Sequence, residues 1–279
     1  MKSGGGLPLA ALTRLAWRNL WRNHRRTLIM LLARSVGVWA MIFMTALMRG
    51  MVDQMIDDGI TALPGHVQIH HPAYLDDPSI ENSLAEPDQD LIGALASPLV
   101  DGWTSRVRVP AMISSERASR GVTLLGVDPD GEIALGFDPG SIIEGRFLES
   151  DDDKGLVVGR KLLERLETDL GKRVVIMSQD PDNNIADRGF RIVGVYKGKL
   201  AALEEGFVYA GRSTVQSLLS LEGLVSEIAV CGQDYRFVGP LFDLVRNAID
   251  SDSDVRPWLE LDTYLGLMLG VMDGFVLVW

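Results

Sequence analysis

A single cysteine, Cys231, stands in 279 residues, so no disulfide can form within the chain and stability must come from packing and hydrogen bonding. Cys231 reads as a small buried hydrophobe. Acidic side chains are absent from residues 1–52, which carry eight Lys or Arg. Subtracting those eight from 27 basic residues leaves 19 against 38 acidic ones over residues 53–279. Such a surplus repels phosphate backbones and excludes nucleic acid as a partner. There is no phosphate-cradling glycine loop ending in Lys-Ser or Lys-Thr, no G-x-S-x-G and no H-E-x-x-H. No nucleophile and base pair can be nominated, and the expectation is a protein without enzyme activity, cofactor or metal. His66 and His70 share a strand face, but their Cβ atoms stand roughly 13 Å apart at 3.3 Å per residue, too far for one ion. Asp180, Asp182 and Asn184 match the opening of a calcium loop, yet Ile185 replaces its glycine and Arg191 its closing glutamate.

What is present begins with an apolar run. Leu28 to Met48 spans roughly 31 Å as a helix, which matches a hydrocarbon core of about 30 Å. Arg14, Arg18, Arg22, Arg25 and Arg26 crowd its N-terminal side, so the N-terminus is expected in the cytoplasm and residues beyond about Gly50 on the far side. The run exceeds a signal-peptide core and continues into Met48, Arg49, Gly50 and Met51, which reads as an uncleaved anchor over residues 28–50. Arg34 lies about 9 Å inside the span, within reach of snorkelling.

Wound as one helix, Arg14, Arg18, Arg22 and Arg25 share a narrow face. Leu9, Leu12, Ala16 and Leu20 occupy the other, with Trp17 and Trp21 at the border. Residues 1–27 therefore read either as an interfacial elbow lying on membrane lipid or as a basic flank that only sets topology. The end of the chain, Leu265 to Trp279, becomes apolar again. Its 15 residues rise only about 22 Å and Asp273 interrupts them, so they predict an interfacial helix or the start of a second span.

Between these ends, residues 51–264 read as a mixed α/β domain, with Val52 to Ile60 continuing the membrane helix until Leu63-Pro64-Gly65 breaks it. Strands are expected at His66–His71, Arg106–Ser114, Val122–Val127, Leu156–Val158, Arg173–Ser178, Phe190–Tyr196, Gly206–Ala210, Ser226–Cys231 and Val255–Leu261. Helices are expected at Gln89–Ala96, Arg160–Glu167, Ser213–Leu219 and Val238–Ile249. Asp180 to Gly189 has turn chemistry throughout and predicts an exposed hairpin loop.

Three stretches carry a resemblance: LAWRNLWRNHRRTLIMLL from Leu15 to Leu32, GVTLLGVDP from Gly121 to Pro129, and the order GRFL, GLVVGRKLLERL, LGKRVVIM and FRIVGVY beyond Ile142. In order and spacing around one span they resemble the permease subunits of ABC transporters of the lipoprotein-release and macrolide-exporter type, which include cell-division permease-like proteins. Two positions depart from the family pattern: Gly171-Lys172-Arg173 where Gly-Asp is common, and Arg34 where an apolar residue is usual.

The resemblance implies an α+β fold: an amphipathic elbow, a first transmembrane helix, a periplasmic domain of two subdomains, and the start of a second transmembrane helix at 265–279. It implies an inner-membrane location and four membrane helices in the intact subunit. The implied partners are membrane lipid, a cytoplasmic ABC ATPase, a second permease subunit and a periplasmic substrate or partner protein. The residues implied to act are mechanical. Arg14, Trp17, Arg18, Trp21, Arg22, Arg25 and Arg26 anchor the elbow, while Met51, Met55 and Ile56 on entry and Trp258, Leu261 and Tyr264 on return form two stalks. Two other roles fit the same residues, a non-transporting regulator that activates a cell-wall hydrolase and a stand-alone anchored binding domain.

Overall fold

The computed structural model describes residues 9–62, 64–198, 201–249, 252–261, 266–267 and 270–271. It divides into two compact units, Met1–Gln54 with Gly270–Trp279, and Met55–Leu269.

The chain opens with two separate helices, α1 (Leu9–Arg22) and α2 (His24–Ala62), the last eight residues of α2 belonging to the second unit. The one continuous amphipathic helix that would align Arg25 with Arg14 is therefore corrected. A turn at Asn23 intervenes, its carbonyl accepts the Thr27 N–H at 3.1 Å, and Arg25 and Arg26 open α2. His24–Ile60 is long and apolar enough to cross a membrane, and its most apolar window has no buried residue. Within it Thr45 returns its hydroxyl to the Met41 carbonyl at 2.9 Å, so the side chain brings no unmet donor into the apolar stretch. Of the apolar C-terminal run, 266–267 and 270–271 are helical and the other residues lie outside those described.

The second unit is built on β-sheet. Its strands are β1 (Val67–His70), β2 (Leu84–Ala85), β3 (Gly102–Ser114), β4 (Ser119–Val127), β5 (Ile142–Gly145), β6 (Gly155–Gly159), β7 (Arg173–Gln179), β8 (Ile185–Tyr196), β9 (Phe207–Gly211), β10 (Leu224–Val225), β11 (Glu227–Cys231) and β12 (Asp254–Pro257). Between them lie α3 (Gln89–Leu95), α4 (Pro129–Leu135), α5 (Arg160–Arg165), α6 (Ala201–Gly206), α7 (Arg212–Leu219), α8 (Val238–Asn247) and α9 (Trp258–Leu261).

Strand pairing closes on itself in the order β3-β4-β9-β6-β8-β7 and back to β3, which makes a six-stranded barrel. Ile113, Leu124, Leu156, Val158, Val174, Ile176, Phe190, Ile192 and Val208 are buried at alternate positions along these strands, as period 2 requires of one barrel face. Outside β4, β6 and β9 a second layer packs, in which Leu125, Val157 and Tyr209 meet Phe137, Phe147 and Tyr196. The first five residues of β3 leave the barrel and pair with β11, which extends through β1 to β12. The two expected subdomains thus share one strand.

Each predicted strand overlaps an observed one, with differences in extent. Val255–Leu261 is half helix, since Pro257 ends the ladder opposite Val67 and α9 then turns the Trp258 indole into the core. Ile185–Gly189 belongs to β8 rather than to the hairpin loop. Asp180 closes a tighter loop by accepting the N–H groups of Asp182 and Asn184 at 3.0 and 2.8 Å, and the ladder resumes at Gln179 opposite Ile185. The short α4, α6 and β5 carry too little periodicity to be foreseen. The GRFL segment is explained by its turn: Gly145 sits at φ 77°, where an added Cβ would collide with the Val193 carbonyl. The following Arg146 binds Asp153 at 2.7 Å.

Candidate functional site

Two places in the second unit could carry force or information: the base where its first and last elements meet, and a buried charge row where β3 passes into the barrel.

At the base, α2 ends with Ile56 and Ile60 fully buried, and the Gly65 N–H reaches the Ile60 carbonyl at 2.9 Å. His66 follows and makes three bonds. Its N–H donates to the Val230 carbonyl at 2.8 Å, its carbonyl accepts the Trp258 N–H at 3.0 Å, and its Nδ1 accepts the Gly232 N–H at 2.7 Å. One residue therefore joins the incoming helix, the end of β11 and the start of α9. Trp258 completes the joint, 1 % exposed, donating Nε1–H to the Tyr235 carbonyl at 3.0 Å and standing edge-on to the Tyr235 ring.

Of the stalk residues expected from sequence, Ile56 and Trp258 are brought into this buried base. Met51 and Met55 are exposed, Leu261 is half-buried, and Tyr264 lies outside the described residues. In sequence His66 reads as the first residue of a strand and as a histidine too far from His70 to share a metal; its structural role depends on Val230, Gly232 and Trp258, which no local pattern announces.

Burial lowers the His66 pKa below its ordinary 6.5, outweighing the opposing pull of Asp57, Asp234 and Asp101. His70 is lowered too, by burial against the pull of Glu227 and Asp254, with Arg108 and Arg256 adding to the lowering. Both imidazoles are held neutral, so the unfolded chain binds more protons than the folded one below pH 6.5. Stability is then complete above about pH 6.5 and falls as pH drops through the lowered values, by up to about 1.4 kcal/mol per pH unit for each histidine. Urea unfolding between pH 5 and 8 should show this slope, and His66→Gln should remove part of it. A slope unchanged in that variant would refute the assignment.

The charge row is set by register. Asp254, His70, Glu227 and Arg106 are direct cross-strand neighbours on β12, β1, β11 and β3 and so lie on one face. Arg106, 1 % exposed, gives Nε and Nη2 to the two Glu132 oxygens at 2.5 and 2.9 Å and Nη1 to Glu227 at 3.2 Å. Glu227 is fully buried and also faces Arg108 at 3.6 Å. Burial alone would raise the Glu227 carboxyl, but the charges of Arg108 and Arg106, with the Arg106 hydrogen bond, hold it below the ordinary carboxylate range. His70 stacks on Tyr74, with ring centroids 5.2 Å apart. Sequence reasoning missed this row because it exists only across strands far apart in the chain. Cys231 is buried as expected, and burial pushes its thiol up to about 11.

At the membrane end, Arg14, Arg18 and Arg22 are exposed on α1. Trp17 and Trp21 are exposed beside one another, ring centroids 6.0 Å apart, and Arg25 and Arg26 stand at the start of α2. Among the described residues no group of His, Cys, Asp or Glu is placed to hold a metal ion.

The first unit holds an apolar helix of membrane-spanning length and the second is a sheet-rich α+β domain. Residues 27–233 match the MacB-like periplasmic core domain, and the chain belongs to that family, which is one of ABC-type permeases. Among solved structures it is similar to the extracellular domain of the noncanonic ABC-type transporter YknZ from Gram-positive bacteria, at 14 % identity over 68 % of this chain and 98 % of that one, with a TM-score of 0.47. It is also similar to the periplasmic region of MacB from Actinobacillus actinomycetemcomitans, at 16 % identity over 68 % and 87 %, with a TM-score of 0.47. A permease-protein domain from Porphyromonas gingivalis matches at 14 % over 68 % and 85 %, with a TM-score of 0.37. The search of curated proteins returned no match.

Proposed function

We propose that this chain is the lever part of an ABC permease subunit of the inner membrane. Its N-terminus is cytoplasmic and its main domain, about residues 51–264, is periplasmic. A separate cytoplasmic ATPase moves the membrane helices, and the domain passes that motion to a lipoprotein or other lipophilic substrate, or to a periplasmic partner, beside a second permease subunit. The elbow of Arg14, Trp17, Arg18, Trp21, Arg22, Arg25 and Arg26 holds the first helix at the lipid headgroups, where each arginine contributes up to about 1 kcal/mol.

The observation that carries this reading is the joint at His66. Helix α2 ends at Ala62, and His66, a few residues beyond it, is tied by three hydrogen bonds to Val230 of β11, to Gly232 just after β11 and to Trp258 of α9. A displacement of α2 relative to the returning segment must be taken up there, which is how rigid elements that meet at one place transmit a shift.

The test uses the complete permease with its ATPase in liposomes, the only cysteine of this chain replaced (Cys231→Ala) and spin labels placed at Met55 and Leu261. ATP turnover is expected to change the label separation by at least about 2 Å, the scale of helix shifts in switching proteins. Identical distance distributions with and without ATP would refute the lever.

A further inference from the structure

The barrel is covered unevenly. Outside β4, β6 and β9 it carries an aromatic layer, whereas the outer face of β3, β7 and β8 presents Met112 at 48 %, Val175 at 39 % and Ile185 at 76 % exposure. Met112 lies directly opposite Met177, and Gly121 and Gly189 have open space above them. At one end of this face, Arg173 and Arg191 are direct cross-strand neighbours, both exposed, with exposed Lys172 next in the chain. Like charges so placed repel. Neither arginine has a carboxylate partner among the described residues, and the polar contact of Arg191 is with the Gly171 carbonyl at 3.0 Å. In a domain with twice as many acidic as basic residues, this is a local basic end left unneutralised.

At the other end the face opens into a cavity of about 470 Å³ lined by Ile80, Pro110, Met112, Met177 and Ile185 and also by polar side chains, among them the acids Glu81 and Asp180. The cavity exists because β3 is paired with β11 only as far as Arg106 and with β7 only from Met112. Main-chain groups in this fork are already engaged. Ser226 Oγ accepts the Arg108 N–H and donates to the Arg108 carbonyl, Pro110 has no N–H, and its carbonyl accepts the Ser178 hydroxyl at 2.8 Å. An added peptide strand would find no ladder to join, so the lining favours an apolar chain without hydrogen-bonding needs.

We infer that this face binds a single-chain anionic amphiphile, its head on Arg173 and Arg191 and its alkyl chain over Val175, Met177 and Met112 into the cavity. The geometry agrees. From Arg173 to Met177 is four residues, about 13 Å at 3.3 Å each, which a chain of ten or more carbons covers. Orientation is also set, since Glu81 and Asp180 repel an anion at the cavity end, and Asp187, opposite Met177, keeps the head from sliding along β8. A paired guanidinium site suits a carboxylate or a phosphate head. Binding here needs no ATPase, so the inference stands apart from the transport reading.

The experiment is photolabelling of the full chain, held in phosphatidylcholine nanodiscs, with a diazirine-bearing long-chain fatty acid, label sites being read by peptide mass spectrometry. Label is expected at Met112, Met177 or Ile185, competed by palmitate and not by hexadecanol. Arg173→Glu with Arg191→Glu should cut it roughly tenfold or more, as loss of charge-assisted hydrogen bonds does. Label on the span from Leu28 to Met48 should stay constant and serves as the internal standard. Met177→Glu, which leaves the arginines in place, should also abolish the groove label. Thermal unfolding of each variant checks folding. The inference is overturned if groove label survives charge reversal, if hexadecanol competes equally, if label is confined to the span, or if a second copy of the chain is cross-linked across this face.

Discussion

Replacing Arg106 with methionine should lower the unfolding free energy of the second unit by about 3–5 kcal/mol, the usual cost of leaving a buried charge without its partner. The guanidinium holds two buried carboxylates. Glu132 would lose both of its bonds, and Glu227 would keep only Arg108, which is partly exposed and 3.6 Å away. The converse result is equally specific. Arg106→Met combined with Glu132→Leu and Glu227→Leu should recover much of the loss, because apolar residues of similar volume replace the row without any desolvated charge. Urea unfolding of the single and triple variants measures both. If the single variant loses less than about 1 kcal/mol, the row is wetter than its burial states, and Arg106 is not the link between barrel and outer sheet.

The second large effect is expected at Trp258. Truncation to alanine removes one of the largest fully buried side chains, its hydrogen bond to the Tyr235 carbonyl and the edge-on ring contact, so a loss of about 3–5 kcal/mol is expected. Trp258→Phe keeps the ring and loses only the hydrogen bond, and should cost about 1–2 kcal/mol. In a lever the alanine variant should do more than destabilise. Spin labels at Met55 and Leu261 should report a broadened separation even without ATP, since α9 then keeps its backbone bond to His66 but loses the side-chain tie to Tyr235. A distribution as narrow as that of the parent protein would show that the indole only fills space.

Both predictions rest on contacts that local sequence does not announce. Arg106 looks like any strand arginine, and its period-2 position marks it as outward-facing. It is buried because α4 folds over it, and α4 is a seven-residue helix begun by Pro129 that carries too few turns for a periodic signal. His66 shows the same limit. Its spacing to His70 invited and then excluded a metal, while its true partners come from Val230, Gly232 and Trp258. The exposed face of β7 and β8 was hidden for another reason. The polar run from Asp180 read as loop, yet Ile185 to Gly189 pairs as strand, since an outward face tolerates polar residues without breaking the ladder.

By contrast, the long-range pattern was legible. Charge segregation at residue 52, a span of membrane length, the break at Leu63-Pro64-Gly65 and the alternating apolar strands each follow from local chemistry: hydropathy over 20 residues, a helix-ending Pro-Gly, and period 2. These elements, with the family motifs from Leu15 to Tyr196, determined an anchored α+β domain of the permease type from sequence alone. Only the tertiary structure decided that six strands close into a barrel, that β3 joins it to an outer sheet through a buried charge row, and that His66 joins entry to return. Such features depend on which residues meet from distant parts of the chain. Strand pairing and burial set those meetings, and a local pattern carries no record of them.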